Sequence, residues 1–355
     1  MNSVQPVTTV TVTFLPNQVT MPCRTDQTLM DAAHEHGIKM KTACKNGVCE
    51  VCAGRWLAGS LKFNNLIGQQ ILDQSNRVLC CIAMPQTDTQ IVMANIQHPD
   101  CKDQVILAMQ VQAVTPLTEE VYVVELLAPA GKALDFWPGQ YLLLHITGTD
   151  GSERKIPYSI ASAPGSLTGS EPRALQLHIA NTSDTAAQVI KQLQTQPTIS
   201  ATLPMGDCFI SPTQLRACAG KPILLLAAGT GFAQIKALAE GILALAPAQE
   251  THLYWSNRSA GGFYMADLPQ QWAHDHPNLH FHPILEEQAD GWHGRAGWIY
   301  QVIQHDFKDL SGVHVFACGS PNMVYGTLEQ LEPLGLGETN LHSDVLAYAP
   351  RPPKA

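Results

Sequence analysis

Alternating apolar and polar residues near the start of the chain predict a small sheet carrying one helix. Residues 7–14 alternate β-branched and polar side chains, and a turn at Asn17-Gln18 follows. A helical segment then ends at Gly37, a residue that favours the end of a helix. The predicted elements are strands at 7–14, 19–21, 77–84 and 90–94, a helix at 28–36 and a cysteine-bearing loop at 43–53. A hairpin, a helix and such a loop predict a β-grasp domain.

The middle of the chain, from Val105 to about Leu203, reads as short strands separated by turn residues. Regular spacing of short strands predicts an antiparallel β-barrel. A helical stretch from Thr185 to Leu193 interrupts the strands. The predicted strands are 105–113, 121–127, 141–147, 156–162 and 174–180.

The last part of the chain alternates strands with helices. Residues 223–226 are continuously apolar, as in a strand that is buried on both faces. Alternation of this kind predicts a parallel, doubly wound α/β sheet. The predicted strands are 223–226, 251–255, 279–284 and 313–317, and the predicted helices are 233–245, 298–306 and 321–332.

Composition and charge narrow the functional classes. The 355 residues are 45% hydrophobic, which is sufficient for packed cores and argues against disorder. Only 14% are charged, the net charge is −9, and no Lys/Arg cluster occurs, so a nucleic-acid partner is disfavoured. No apolar run reaches 18 residues and the start lacks a signal-peptide pattern, so we expect a cytoplasmic protein without membrane insertion.

Ten cysteines direct attention to the first domain, because six of them occur within the first 81 residues. Cys44, Cys49 and Cys52 have the spacing C-x4-C-x2-C, and Cys80-Cys81 follow further along. Four thiolates are what a [2Fe–2S] cluster requires. The alternatives are a zinc site and buried structural thiols. Adjacent cysteines are a poor pair of ligands for one tetrahedral zinc ion, so the iron–sulfur interpretation is favoured.

The cysteine segments carry a family resemblance. Residues 43–54 and 78–88 resemble plant-type [2Fe–2S] ferredoxins, in which a proline follows the fourth ligand by four residues. The resemblance implies that Pro85 identifies Cys81 as the fourth ligand. The implied metal ligands are therefore Cys44, Cys49, Cys52 and Cys81.

Two segments of the middle region, 136–141 and 156–162, resemble flavin-binding motifs of the ferredoxin–NADP reductase superfamily. The resemblance implies that Tyr158 packs near the flavin and that the Ser159 hydroxyl lies close to the flavin N5, where it acts in catalysis. The other implied flavin contacts are Tyr141, Pro157 and Ile160. Ile156 stands where the family has an arginine that binds the flavin. The alternative is a barrel strand with no cofactor role.

Glycines follow the first strand of the α/β region. Gly229, Thr230 and Gly231 lie between a buried strand and the helix that begins near Phe232. Such a junction lets a pyrophosphate approach the helix N-terminus, so these four residues are predicted to bind a nucleotide.

Three more segments, 254–258, 291–297 and 316–324, resemble the nicotinamide domain of the same superfamily and of bacterial NAD(P)H:flavin oxidoreductases. The resemblance implies that Cys318 and Gly319 lie beside the nicotinamide, with Cys318 aligning hydride transfer. A small core residue is the alternative for Cys318. Arg258 follows the second strand, where NAD-specific folds often have an acid, so the sequence selects neither NADH nor NADPH.

Together these resemblances imply an iron–sulfur flavoprotein reductase. The predicted organisation is a ferredoxin domain at 1–97, a linker at 98–103, a flavin (FAD or FMN) barrel at 104–212 and an NAD(P)-binding domain at 213–355. Such an oxidoreductase moves electrons from NADH or NADPH through flavin to the [2Fe–2S] cluster and on to an oxygenase or deoxysugar dehydratase component. Two alternatives are a reductase of dissociable flavin and a non-catalytic iron–sulfur binding or sensing module.

Overall fold

The computed structural model describes residues 7–15, 19–93, 96, 100–148, 151–167 and 172–349. The chain divides into two compact units, Met1–Cys101 and Lys102–Ala355, and each unit has its own apolar core. Part of the predicted linker at 98–103 lies outside the described residues. The domain bounds within the second unit stay predictions.

The first unit is a β-grasp fold. Its main sheet has the order β2-β1-β7-β3-β5, in which β1 pairs antiparallel with β2 and parallel with β7. Helix α1 is capped by the Thr28 hydroxyl and buries its apolar side against the core. The elements are β1 (Thr9–Leu15), β2 (Val19–Arg24), α1 (Leu29–Glu35), β3 (Ala53–Ala58), β4 (Leu61–Phe63), α2 (Leu66–Ser75), β5 (Arg77–Leu79), β6 (Ala83–Pro85) and β7 (Thr89–Val92).

The second unit begins with a curled antiparallel sheet of order β11-β10-β13-β8-β9-β12. An isolated bridge between Ile160 and Leu177 links its two edges, so the sheet curls into a half-barrel. The elements are β8 (Val105–Pro116), β9 (Val121–Leu127), β10 (Tyr141–Thr147), β11 (Glu153–Ser159), β12 (Ala174–Ala180), α3 (Asp184–Thr195), β13 (Thr198–Met205) and α4 (Pro212–Ala217).

The strand predicted at 156–162 lies at Glu153–Ser159 instead. The chain leaves β10 after Ser159, because the Ile160 amide donates to the Gln140 carbonyl and the Ala161 amide donates to the carbonyl of Gln176 in β12. Pairing with a strand distant in sequence ends β11, and the local pattern does not reveal that pairing.

A parallel α/β layer completes the second unit, as predicted. Its six strands have the order β17-β16-β15-β14-β18-β19, and β14 is buried at the centre. The elements are β14 (Ile223–Ala228), α5 (Phe232–Leu245), β15 (Thr251–Asn257), α6 (Asp267–Asp275), β16 (Leu279–Leu285), β17 (Arg295–Ala296), α7 (Ile299–Asp306), β18 (His314–Cys318), α8 (Pro321–Leu331), β19 (Leu341–His342) and α9 (Val345–Tyr348). Within the described ranges, every helix is too short or too polar to cross a bilayer.

An ion pair on α5 ties the α/β layer to the barrel. Lys236 Nζ donates to Glu240 Oε1 at 2.6 Å and to the Ala161 carbonyl at 2.8 Å. Glu240 Oε2 accepts from the Ala163 amide and from the Ser166 hydroxyl. Both charges are largely buried, so their mutual pairing and these hydrogen bonds offset the cost of desolvation. The segment after β11 is thereby held against α5.

Candidate functional site

The first predicted site is the cysteine loop between α1 and β3. The Cys49 amide donates to Cys44 Sγ at 3.3 Å, and the Cys44 amide donates to Cys49 Sγ at 3.5 Å. The Cys81 thiol interacts with Cys52 and with Cys44 and accepts from the Gly47 amide. The fold therefore brings together the four sulfurs that the resemblance implies as ligands.

The backbone of this loop points its amides at sulfur. Lys45, Gly47 and Glu50 all adopt positive φ, so the chain coils tightly around the thiols. A Cβ at Gly47 would lie 2.8 Å from Ile82 Cδ1, so glycine is required there on both grounds. Amide donation lowers the pKa of the Cys44 thiol to about 6. Thiolate sulfurs with amide donors fit an iron–sulfur cluster, whose potential depends on such hydrogen bonds.

The adjacent cysteines have different surroundings. The Cys80 side chain is fully buried in the core, and its backbone bonds to the Cys52 carbonyl and the Met30 amide. Burial raises the pKa of the Cys80 thiol. Burial also raises the pKa of Cys81, to about 12, but a thiol bound to a metal is deprotonated by it. This geometry favours Cys81 as the ligand and Cys80 as a packing residue.

The surface beside the cysteine loop is cationic. Lys41, Arg55 and Arg77 line a cavity of about 320 Å³ together with Val51. Arg77 pairs with Glu50 at 2.7 Å. Residues 1–103 carry eight basic and eight acidic side chains, so the positive character is local to this face rather than general to the ferredoxin half.

The second predicted site lies at the end of the β10–β11 pair. Ser159 is the last residue of β11 and lies opposite Tyr141 in register. Tyr158 packs against the barrel core, and burial raises its pKa to about 12. Ile160 is fully buried, whereas Pro157 is exposed. Because successive residues of a strand face opposite sides, β11 does not present all the predicted contacts on one surface.

These groups fit one part of a flavin better than another. Tyr141 and Ser159 are register partners and so supply a half-buried aromatic ring and a hydroxyl on one face of the sheet, which fits an isoalloxazine ring, whereas Tyr158 lies on the other face. Position 156 carries a half-buried isoleucine, so it offers no cation for a flavin phosphate. The site therefore favours ring binding over phosphate binding.

The third predicted site is the turn between β14 and α5. Gly229, Thr230 and Gly231 form a single 3₁₀ turn, and the 14-residue helix α5 starts at Phe232. A Cβ at Gly231 would lie 2.2 Å from the Cys318 carbonyl oxygen, so only glycine lets the turn after β14 come this close to the end of β18. The turn thus leads into a helix N-terminus, where amides and the helix dipole favour a phosphate.

The side chain of Phe232 is buried and packs beneath the glycine turn. Its ring is fully buried and stacks on Trp255 at a centroid distance of 3.8 Å. The indole Nε1 of Trp255 donates to the Gly229 carbonyl at 2.9 Å. The side chain of Phe232 therefore supports the turn, and its backbone amide donates within the turn to the Gly229 carbonyl.

A cavity of about 260 Å³ adjoins the glycine turn. The α/β layer contributes Gly229, Thr230, Asn257, Gly261, Gly262 and Tyr264 to its lining, and the barrel contributes Thr118, Glu120, Val121, Ala180 and Thr182. The exposed backbone of the turn and the polar lining fit a nucleotide. Arg258 lies just beyond β15, with its side chain 91% exposed and 3.7 Å from Glu286.

Cys318 ends β18 next to this turn, and Gly319 follows it. Burial raises the pKa of the Cys318 thiol to about 12, so it is a neutral thiol near pH 7. A Cβ at Gly319 would lie 2.9 Å from Met323 Cε and 3.1 Å from Ala228 Cβ. The tight packing fixes the position of Cys318 against the strand that carries the glycine turn.

Sequence reasoning missed Asp344. Its Oδ2 accepts from Gln234 Nε2 at 2.7 Å, and its Oδ1 accepts weakly from the Cys208 amide at 3.4 Å. Burial raises the pKa of Asp344 to about 6. Together with burial, its negative charge raises the pKa of Tyr141, from the predicted flavin site, and of Cys318, from the predicted nicotinamide site. Nothing in the local sequence marks this carboxylate, which lies 110 positions from Gln234.

Comparison with known families agrees with this geometry. The profile of the 2Fe-2S iron-sulfur cluster binding domain matches residues 12–86, and that of the oxidoreductase NAD-binding domain matches residues 225–329. The chain thus carries a 2Fe-2S iron-sulfur cluster binding domain followed by an oxidoreductase NAD-binding domain. It is an NAD(P)H-dependent oxidoreductase, and the predicted [2Fe–2S] cluster and nicotinamide cofactor are confirmed.

Relatives match this fused chain over nearly its whole length. Reductase component 1 of terephthalate 1,2-dioxygenase from Comamonas sp is 27% identical, over 94% of this chain and 96% of its own. The CDP-6-deoxy-L-threo-D-glycero-4-hexulose-3-dehydrase reductase of Yersinia pestis is 26% identical, over 91% and 93%. A crystal structure of an Amycolatopsis cytochrome P450 reductase is 24% identical, with a TM-score of 0.62 over 94% of this chain and 98% of that one. This likeness confirms the predicted fold class.

Proposed function

We propose that this chain is the electron-supplying component of a two-protein system, which oxidises NADH or NADPH and delivers single electrons to an oxygenase or a sugar dehydratase. The observation that carries the proposal is the approach of Cys81 to the three cysteines of the α1–β3 loop, in one unit of a chain whose other unit has the pyridine-nucleotide reductase fold. The relatives named for a dioxygenase and for a dehydrase support both classes of acceptor.

The residues of the chain have separate tasks in this proposal. The turn at Gly229–Gly231 and the α5 amides hold the nucleotide pyrophosphate, while Cys318 and Gly319 position the nicotinamide. The Tyr141 ring and the Ser159 hydroxyl, which share one face of the β10–β11 pair, contact the flavin ring, while Tyr158 supports the site from the other face of the sheet. A bound flavin supplies the conversion of one two-electron hydride into two single electrons. Cys44, Cys49, Cys52 and Cys81 hold the cluster, from which a partner takes one electron at a time.

The decisive experiment uses the full-length protein with iron, sulfide and FAD restored under anaerobic conditions. NADH and NADPH are added in separate samples without an external acceptor, and the cluster is followed by visible absorbance and low-temperature EPR. We expect rapid appearance of the reduced-cluster EPR signal with at least one of the two nucleotides. A reduced flavin beside a cluster that stays oxidised would contradict electron transfer to the cluster.

A second candidate function is a reductase of dissociable flavin, and Ile156 is the observation that favours it. Without a cation at that position, FAD dissociates readily, and the free reduced flavin becomes the product. Gel filtration of the loaded protein distinguishes the two functions. Retention of about one FAD per chain supports a resident cofactor, whereas loss of FAD with undiminished turnover of added flavin supports the second function.

A further inference from the structure

A histidine cluster lies at the amino-terminal side of the sheet in the α/β layer. His252 is the second residue of β15, and its register partner on the neighbouring parallel strand β16 is His280. The glycine turn follows the carboxyl end of β14, and His252 pairs beside Leu224 near the start of that strand. At about 3.3 Å per residue, roughly 13 Å of strand separates the cluster from the nucleotide end of the sheet.

Three side chains of this cluster converge on one point. Glu250 Oε1 lies 3.2 Å from His252 Nε2, and the rings of His252 and His280 have centroids 4.7 Å apart. The ligand atoms of Glu250, His252 and His280 all lie within 4.8 Å of one another. Glu250 and His280 are exposed, so a cation can reach the point from solvent.

A fourth histidine fixes the orientation of the central ring. His282 Nε2 lies 3.1 Å from His252 Nδ1, and the ring of Phe307 packs edge-on against His252. Metal-bound histidines usually donate their other ring N–H to such a partner. When His252 donates from Nδ1 to His282, its Nε2 lone pair faces Glu250 and His280.

We propose that Glu250, His252 and His280 form a binding site for a divalent cation of the zinc class, in which water completes the coordination. Two imidazoles and a carboxylate suit Zn²⁺, whereas Mg²⁺ and Ca²⁺ prefer oxygen ligands alone. The ion connects β15 to β16 at the side of the sheet away from the nucleotide, so its expected effect is stabilisation of the α/β layer. Nicotinamide binding does not require it.

The test uses the full-length protein with its cluster and flavin in place, so that the cluster cysteines are occupied. After treatment with a chelator, Zn²⁺ is titrated by competition with a chromophoric zinc indicator, while visible absorbance verifies that the cluster stays intact. The variants are His280→Asn and Glu250→Gln, which change exposed side chains. The matched control is His274→Asn, an exposed histidine on α6 outside the cluster.

We expect the wild type and His274→Asn to bind one Zn²⁺ with a micromolar dissociation constant, and both cluster variants to bind at least about tenfold more weakly. Zinc should raise the melting temperature of the wild type and of the control but not that of the variants, since a ligand stabilises the state that binds it. A wild type with no site tighter than about 100 µM would overturn the proposal. Equal zinc affinity in His280→Asn and the wild type would do the same.

Discussion

At the residue scale, the environment of a thiol decides its role more than its place in a motif. Cys80 and Cys81 are neighbours in sequence, yet Cys80 is enclosed by the core and Cys81 faces the amide-rich loop. Cys318, in contrast, is a neutral thiol held against a glycine turn. Each environment leads to a different expected result on substitution.

Replacing Cys81 by Ser should abolish the [2Fe–2S] cluster, because it removes a thiolate ligand from a site that needs four. Cys80→Ser should leave most of the cluster, since the Cys80 sulfur packs in the core. Iron and acid-labile sulfide per chain, together with visible absorbance, give the measurement. The reverse pattern would mean that Cys80 is the ligand.

Replacing Cys318 by Ala should slow flavin reduction by NAD(P)H at least about tenfold and leave the iron content unchanged, because hydride transfer depends on the alignment of the nicotinamide. Anaerobic stopped-flow measurement of flavin absorbance tests this. Cys218→Ala is the matched control, since Cys218 is a buried thiol at the end of α4. Equal rates in the wild type and Cys318→Ala would leave Cys318 with a packing role only.

Asp344→Asn should change how stability depends on pH. Burial raises the pKa of Asp344 to about 6 from an ordinary value of 3.8, so the folded state favours the protonated carboxyl. The stability that this group contributes is therefore complete below about pH 4 and is lost as the pH rises through about 6. The wild type should lose about 3 kcal/mol relative to Asp344→Asn across that window.

Urea unfolding between pH 4 and pH 8, followed by tryptophan fluorescence, measures this difference. Five of the six tryptophans belong to the second unit, so the signal reports on the part of the chain that contains Asp344. Asp275→Asn, at an exposed position on α6, is the control. A constant difference between wild type and Asp344→Asn at every pH would show that Asp344 does not titrate in this window.

At the element scale, the start of α5 and the turn before it contact three other parts of the second unit. The glycine turn approaches the end of β18, Phe232 stacks on Trp255 of β15, and Lys236 bonds to the chain after β11. A change in the turn therefore acts on the nucleotide site and on the packing of the barrel together.

Gly231→Ala should destabilise the second unit by about 1–3 kcal/mol and weaken nucleotide binding, because the added Cβ collides with the Cys318 carbonyl. Thermal unfolding and NADH titration measure the two effects. Gly326→Ala is the control, since Gly326 lies in α8 outside the nucleotide cavity and a Cβ there meets none of the described residues within 4 Å. Similar stability of the two variants would mean that β18 shifts to accommodate the added Cβ with no loss in the free energy of unfolding.

At the scale of the whole molecule, the two units have separate cores. All members of the first core lie within residues 12–96, and those of the other three lie within residues 107–349. Because core packing supplies most of the stability of a domain, we expect each unit to fold on its own. The ferredoxin unit can then be removed without loss of the reductase fold.

Deletion of residues 1–101 should abolish NAD(P)H-driven reduction of cytochrome c, measured without added flavin, and should retain reduction of ferricyanide. The physical reason is that the cluster delivers single electrons to a protein acceptor, while ferricyanide is small enough to take them from the reductase unit. Retained cytochrome c reduction would mean that electrons reach the protein acceptor from a group other than the cluster. Loss of both activities with an unfolded circular dichroism spectrum would contradict independent folding.

The sequence by itself determined the parts that depend on neighbours along the chain. Alternation predicted the hairpin of the first unit and most strands of the barrel, and the C-x4-C-x2-C spacing of Cys44, Cys49 and Cys52 predicted the iron–sulfur loop. The strand–glycine–helix junction at Gly229 likewise follows from adjacent residues. In each case the residues that make the feature lie close enough in sequence for their spacing to carry the information.

Only the tertiary structure decided the features that depend on residues distant in sequence. Strand β13, at Thr198–Met205, was not predicted, because its role as a central barrel strand comes from pairing with β8 and β10. Asp344 meets Gln234, and His252 meets His280, only after the parallel strands align. Burial then raises the pKa of Asp344, and burial is a property of the packed chain rather than of any segment of it.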